Sequence, residues 1–186
     1  MGRMLCTPGL SGQKTSILYR QQARPATNLT ITLLTDTYEA DHYGMKPEAL
    51  MAICRNSDIR GIYLMPTCSN PTSIYMIQDR REELADIIQQ YDLILIEDDI
   101  YSFLAPENAE PFFSMLPERT LHICSLSKSL CAGLRVAFMA FPEQYREILV
   151  SGMLNINLKT VSLNAEIIAV LIESGTAETI VKEKIS

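Results

Sequence analysis

Lys128 stands between two serines in the run Ser125-Leu126-Ser127-Lys128-Ser129, directly after the apolar stretch Leu121-His122-Ile123-Cys124. A lysine at the exit of a buried strand is expected to be partly desolvated, which makes its amine a better nucleophile. Arg135 follows seven residues later, just past Gly133 and Leu134, where a guanidinium supplies a fixed positive fork for a phosphate. Asp98 follows a second apolar stretch, Leu93-Ile94-Leu95-Ile96, and Tyr101 comes three residues after it. Asn70 follows a third, Gly61-Ile62-Tyr63-Leu64-Met65. Taken singly these have plain readings: Asn70-Pro71-Thr72 makes a good turn, and Asp98 suits a helix cap. Taken together they set a reactive amine, a carboxylate, two hydrogen-bonding groups and phosphate ligands in one order along the chain.

The elements that must position these residues are legible in outline. Leu29 to Leu34 reads as a strand, as do Gly61 to Met65, Leu93 to Ile96, Leu121 to Cys124 and Val136 to Phe141. Ser11 to Gln22, Pro47 to Arg55, Met76 to Tyr91, Phe112 to Leu116, Glu143 to Asn155, Leu163 to Glu173 and Ala177 to Lys184 read as helices, and Thr35 to Met45 as a loop. Pro47 suits the first position of its helix, where a missing N–H costs little. In Met76 to Tyr91 the residues Ile77, Leu84, Ile87 and Ile88 form one apolar stripe. The charged run Asp79 to Glu83 in that helix reads as a solvated face. Continuous apolar strands separated by helices imply a mostly parallel sheet covered on both faces, a three-layer α/β/α fold. In such sheets ligands bind past the carboxyl ends of the strands, the positions of Asn70, Asp98 and Lys128.

A ligand that uses all of these groups is a flat heterocycle bearing an aldehyde and a phosphate. Lys128 would bind the aldehyde as an imine. Ser125, Ser127 and Arg135 would hold the phosphate. Asp98 would pair with a ring nitrogen and keep it protonated, and Tyr101 and Asn70 would reach the ring oxygen. This is pyridoxal 5′-phosphate.

The segments Pro66-Thr67-Cys68-Ser69-Asn70-Pro71-Thr72, Glu97-Asp98-Asp99-Ile100-Tyr101 and Ser125-Leu126-Ser127-Lys128 through Gly133-Leu134-Arg135 resemble the class I/II aminotransferase group of fold-type I pyridoxal-phosphate enzymes. The resemblance runs from about Asp41 to the C-terminus. It implies that Lys128 is the Schiff-base lysine, Asp98 the pyridine-nitrogen acid, Asn70 and Tyr101 partners of the ring oxygen, and Ser125 and Arg135 phosphate ligands, with Ser127 a weaker one. Asp98-Asp99-Ile100-Tyr101, Pro117-Glu118-Arg119-Thr120 and Glu173-Ser174-Gly175-Thr176-Ala177 further resemble the aminotransferase-like domain of MocR-type regulators of the GntR superfamily. Those regulators sense with the cofactor and carry a winged helix upstream.

Three functions follow as expectations. The first is transamination of an amino acid or amine. The second is a cofactor-dependent effector domain without turnover. The third is a degenerate domain kept for dimerisation. The chain is expected to be one partial large domain over residues 1–186, without the family's N-terminal part and small C-terminal domain. No equivalent of the family's phosphate-binding glycine turn is visible; Pro8 to Gly12 resembles a later loop. No ring-stacking aromatic is recognised, and the substrate-carboxylate arginine is expected past Ser186, so the chain alone is expected to be a poor catalyst or none. Ser73 stands where a glycine is usual, and Ala137 where a glycine often follows the arginine.

The totals fit this reading. The net charge is -6 over 186 residues, which argues against a nucleic-acid surface in this segment; any DNA contact is expected through a domain outside it. No apolar run approaches the roughly 18 residues of a membrane span, and no secretory signal is visible, so a cytoplasmic protein without membrane contact is expected; the family resemblance further implies a homodimer. Five scattered cysteines without a CxxC pair and only two histidines argue against a metal site or a disulfide framework.

Overall fold

The computed structural model describes residues 17–20, 32–34, 39–106, 109–156 and 162–185. A six-stranded sheet is ordered β2-β1-β5-β6-β7-β8. Its members are β1 (Ile17–Arg20), β2 (Thr32–Leu34), β5 (Gly61–Leu64), β6 (Ile94–Asp98), β7 (Thr120–Ser125) and β8 (Ala137–Ala140). β3 (Ala40–Asp41) and β4 (Gly44–Met45) make a separate two-stranded hairpin. The helices are α1 (Pro47–Asn56), α2 (Gln78–Gln90), α3 (Phe112–Met115), α4 (Leu126–Ser129), α5 (Arg146–Ile156), α6 (Ser162–Glu173) and α7 (Thr176–Ile185). The expected α/β fold is therefore found. Its central strands β5, β6 and β7 run parallel, and antiparallel strands flank them.

The parallel core follows from its connections. α2 carries the chain from β5 to β6, and α3 from β6 to β7, so each strand begins again at the same edge. Ile62, Leu64 and Leu95 face one side of the sheet and pack with Leu50 of α1 and with Leu84, Ile87 and Ile88 of α2. Leu50, Leu84, Ile88 and Leu95 are completely buried, and each such side chain contributes roughly 1.5–3 kcal/mol of transfer free energy. Gly61 is required where β5 meets β6, because a Cβ there would lie 2.6 Å from the Ile94 carbonyl oxygen.

Three expectations need correction. Ile17–Arg20 is a strand, not part of a helix; it pairs with β2 and β5, a non-local constraint that local composition does not carry. The rest of that expected helix, and Leu29 to Ile31, lie outside the described residues. The expected loop Thr35 to Met45 contains the β3–β4 hairpin, whose turn is closed by the Asp41 carboxylate accepting from the Tyr43 N–H at 2.8 Å. The charged run of α2 is not all solvated. Arg81 is 1% exposed and donates to the carbonyls of Met76 and Glu110 at 3.0 and 3.1 Å. Arg80 donates to Asp41 and to the Met45 carbonyl, fastening the hairpin to α2.

Candidate cofactor site at the strand ends

The registers Leu64↔Glu97 and Asp98↔Ile123 align the carboxyl ends of β5, β6 and β7. The loops leaving those three strands hold Asn70, Asp98 with Tyr101, and Ser125 through Arg135. The sheet thus brings the sequence-predicted residues to one edge, with strands spaced about 4.8 Å apart.

Asp98 is the last residue of β6 and is half-buried. Its Oδ2 accepts a short hydrogen bond from the Tyr63 hydroxyl, and its Oδ1 accepts from the Ile100 N–H at 3.3 Å. Tyr63 points to this face because its neighbours Ile62 and Leu64 take the core face. Burial, and then the Asp98 carboxylate, push the Tyr63 hydroxyl above its ordinary value, so it remains a donor. A carboxylate has about four lone-pair positions, so Asp98 keeps capacity for a further donor.

The neighbouring carboxylates point to the opposite face. Glu97 is completely buried and accepts from the N–H groups of Phe112 and Phe113 at 2.9 and 3.0 Å, and it meets His122 Nδ1 at 2.9 Å. It thereby seats α3 against β7. The hydrogen bond with Glu97 raises the His122 ring above its ordinary value, against the opposing effect of burial. Asp99 is also buried; burial raises its carboxyl, a hydrogen bond from Thr67 works against this, and its Oδ1 has no partner among the described residues. Strand alternation separates the two roles: Asp98 faces the candidate site, while Glu97 serves the core.

Ser125 ends β7 and caps α4, its Oγ accepting from the Ser127 N–H at 3.2 Å and donating to the Val136 carbonyl at 3.3 Å. Lys128 lies in the single turn of α4 and is exposed. The expected desolvation of this lysine is therefore not found. α4 is a single turn that begins directly after β7 and carries the lysine out past the sheet edge. Arg135 is exposed and adopts φ 52°, the left-handed region that costs a non-glycine residue roughly 1–2 kcal/mol. Strained backbone of this kind clusters at ligand sites. Neither Lys128 nor Arg135 has a side-chain partner among the described residues. Tyr101 is half-buried at the turn after β6, and Asn70 is exposed in the loop after β5. Ser73, where the resemblance expects glycine, has φ 57°. Pro8 to Gly12, read from sequence as a loop later than the family's glycine turn, lies outside the described residues.

Sequence reasoning missed Tyr63, Asn164 and Lys184. Asn164 of α6 donates to the Leu134 carbonyl at 2.8 Å. Lys184 of α7 donates to the carbonyls of Lys128, Ser129 and Leu130. Only Tyr63 left a signal, as a polar tip in an otherwise apolar strand.

The chain matches the family described as "Aminotransferase class I and II" over residues 28–180. It belongs to that family. Among its relatives is the HTH-type transcriptional regulator YdeF of Bacillus subtilis, 35% identical over 178 residues, covering 96% of this chain and 38% of the regulator. The mitochondrial kynurenine/alpha-aminoadipate aminotransferase of mouse is 33% identical over 118 residues, covering 56% of this chain and 28% of that enzyme. Among solved structures, LysN, the alpha-aminoadipate aminotransferase of Thermus thermophilus, superposes with a TM-score of 0.72 at 26% identity, covering 78% of this chain and 40% of that one. LysN was captured with N-(5'-phosphopyridoxyl)-L-leucine. The chain thus spans about two fifths or less of the length of these relatives. No helix among its described residues is long and apolar enough to cross a membrane.

Proposed function

We propose that the chain is a pyridoxal-phosphate-binding, aminotransferase-like partial large domain in which Lys128 holds the cofactor covalently. The observation that carries this reading is the convergence, past one edge of the parallel central strands, of a lysine and an arginine without side-chain partners among the described residues, the arginine in a strained backbone conformation, and a carboxylate held in place by Tyr63. The donor set fits the group chemically. Asp98 would face the pyridine nitrogen, with Tyr63 fixing its orientation. Tyr101 and Asn70 would bind the ring oxygen. Ser125, Arg135 and, less strongly, Ser127 would hold the phosphate. The cofactor, when bound, supplies the electron sink for chemistry at an amino acid's α-carbon. The Lys128 amine, as the only proposed base in the set, would move the proton there.

Two uses of this site are open to a family member, and one observation favours the second. Transamination of an amino acid or amine is the chemistry that the mouse and Thermus relatives carry in their names. The relative matched across 96% of this chain is a transcriptional regulator. This favours an effector domain of MocR/GntR type, whose DNA contacts lie in another domain and whose ligand is an amino acid or amine. A domain serving dimerisation alone has less support, because it requires neither Lys128 nor Asp98. The scattered free cysteines accord with a reducing, cytoplasmic setting, and the family relationship with a homodimer. Titration of the chain with pyridoxal phosphate tests the reading. A visible absorbance band distinct from the free cofactor is expected, and it is expected to be missing in Lys128→Ala. The same band in both proteins would sink the assignment. Addition of an amino acid with a 2-oxo acid then separates the two uses: sustained turnover marks an enzyme, and a spectral change without turnover marks an effector domain.

A further inference from the structure

α4 consists of one turn, and such a helix cannot satisfy its own last carbonyls. The carbonyls of Lys128, Ser129 and Leu130 all point to the ammonium of Lys184, at 3.1, 2.9 and 3.1 Å. The two partners lie 54–56 residues apart in sequence, so this is a tertiary contact. A second contact grips the other end of the same loop: Asn164 Nδ2 donates to the Leu134 carbonyl at 2.8 Å, one residue before Arg135. α6 and α7 are joined by a tight turn, in which Ser174 and Gly175 donate to the Val170 and Ile172 carbonyls at 3.0 and 3.1 Å, and they pack on each other. Within the loop itself, the Leu130 and Cys131 N–H groups donate to the Leu126 carbonyl at 2.9 and 3.2 Å. Lys128 and Arg135 therefore sit on a short, exposed segment whose two ends are held by one helical hairpin.

We infer that Lys184 is a positioning residue for Lys128, and that α7 sets the placement of the proposed cofactor lysine through the exit of α4. A cation at a helix C-terminus stabilises the aligned carbonyl dipoles. Here it also orders the backbone from which Lys128 projects. Lys184 acts through carbonyl oxygens and touches no reacting atom. A displacement of α7 releases the three carbonyls together, so any ligand or partner that moves α7 alters the setting of Lys128. The inference rests on the proposed role of Lys128 for its functional meaning, while the contact itself does not depend on cofactor.

The test compares Lys184→Met, Lys184→Arg and the parent in the full chain. Without cofactor, Lys184→Met is expected to raise amide hydrogen exchange at Leu130 and Cys131 by about fivefold, with Leu95 of the core strand unchanged. Lys184→Arg is expected to restore protection, since an arginine offers the same donors. With pyridoxal phosphate added, the midpoint of the pH-dependent absorbance change is expected to move in Lys184→Met and to return in Lys184→Arg. Unchanged exchange at Leu130 and Cys131 in Lys184→Met would overturn the inference. If Lys184→Met does not fold, native-state exchange of the parent in low denaturant decides the matter. Leu130 and Cys131 are expected to lose protection together with Val181 and Lys182 of α7, and separate loss would overturn the coupling. A parent chain that gives no absorbance band with cofactor, yet shows the exchange effect, would refute the cofactor reading and leave the positioning role intact.

Discussion

Replacing Glu97 by alanine removes the carboxylate that joins β6, α3 and β7. Its side chain is completely buried and accepts three hydrogen bonds, from the Phe112 and Phe113 N–H groups and from His122 Nδ1, all between 2.9 and 3.0 Å. In Glu97→Ala the Phe112 N–H, which belongs to a fully buried residue, loses its only partner among the described residues, which costs about 1–3 kcal/mol. The half-buried Phe113 N–H loses less, because water can reach it. His122, half-buried, loses the acceptor that favours its charged form and can release its proton instead, which adds about 1 kcal/mol. These contributions overlap, so the expected destabilisation is about 2–4 kcal/mol. Urea unfolding followed by far-ultraviolet circular dichroism measures it as a lower midpoint with an unchanged slope. Glu97→Gln keeps one acceptor oxygen and is expected to fall between. A double-mutant cycle with His122→Ala is expected to show a coupling of about 1 kcal/mol or more. A midpoint for Glu97→Ala that corresponds to less than about 1 kcal/mol of lost stability would refute the claim that this carboxylate fastens the sheet edge on which Asp98 stands.

The other outcomes follow from the same contacts. His122 is raised above 6.5 by Glu97, so its protonation adds stability that is complete below pH 6.5 and is lost as pH rises through the higher folded value; the stability gap between the parent and His122→Gln should shrink over that rise. Ser73→Gly relieves a φ of 57° and is expected to raise stability by about 0.5–1 kcal/mol in the same urea assay, the backbone relief exceeding the added unfolded-chain entropy. Tyr63→Phe frees one oxygen of Asp98, and cofactor titration is expected to show weaker binding, by about 1 kcal/mol, with the sheet intact by circular dichroism.

Much of the fold was legible because its central strands are continuous apolar runs and its helices show a clear stripe. Gly61–Leu64, Ile94–Asp98 and Thr120–Ser125 lie within one or two residues of the positions read from sequence. The order Asn70, Asp98, Lys128 along three parallel strands was enough to place these residues at one edge. The misreadings have specific causes. Arg81 lies at the i−3 position to Leu84 and the i−7 position to Ile88, so the helical period did mark it as inward; its charge outweighed that signal. β1 exists through its pairing with β2 and β5, and nothing local to Ile17–Arg20 records that. Lys128 was expected to be desolvated because it follows a buried strand, but the α4 turn carries it out into solvent. Lys184 was invisible, because an exposed lysine near a helix C-terminus has the same local sequence whether or not it reaches a distant carbonyl.

The central claim is that Lys128 is the residue that takes the cofactor. Incubation with pyridoxal phosphate, reduction with borohydride and mass-spectrometric peptide mapping locate the attached group directly. The account predicts one modified site, Lys128, and its loss in Lys128→Ala with the remaining lysines unlabelled. Labelling spread over other lysines, or unchanged by that substitution, would contradict it.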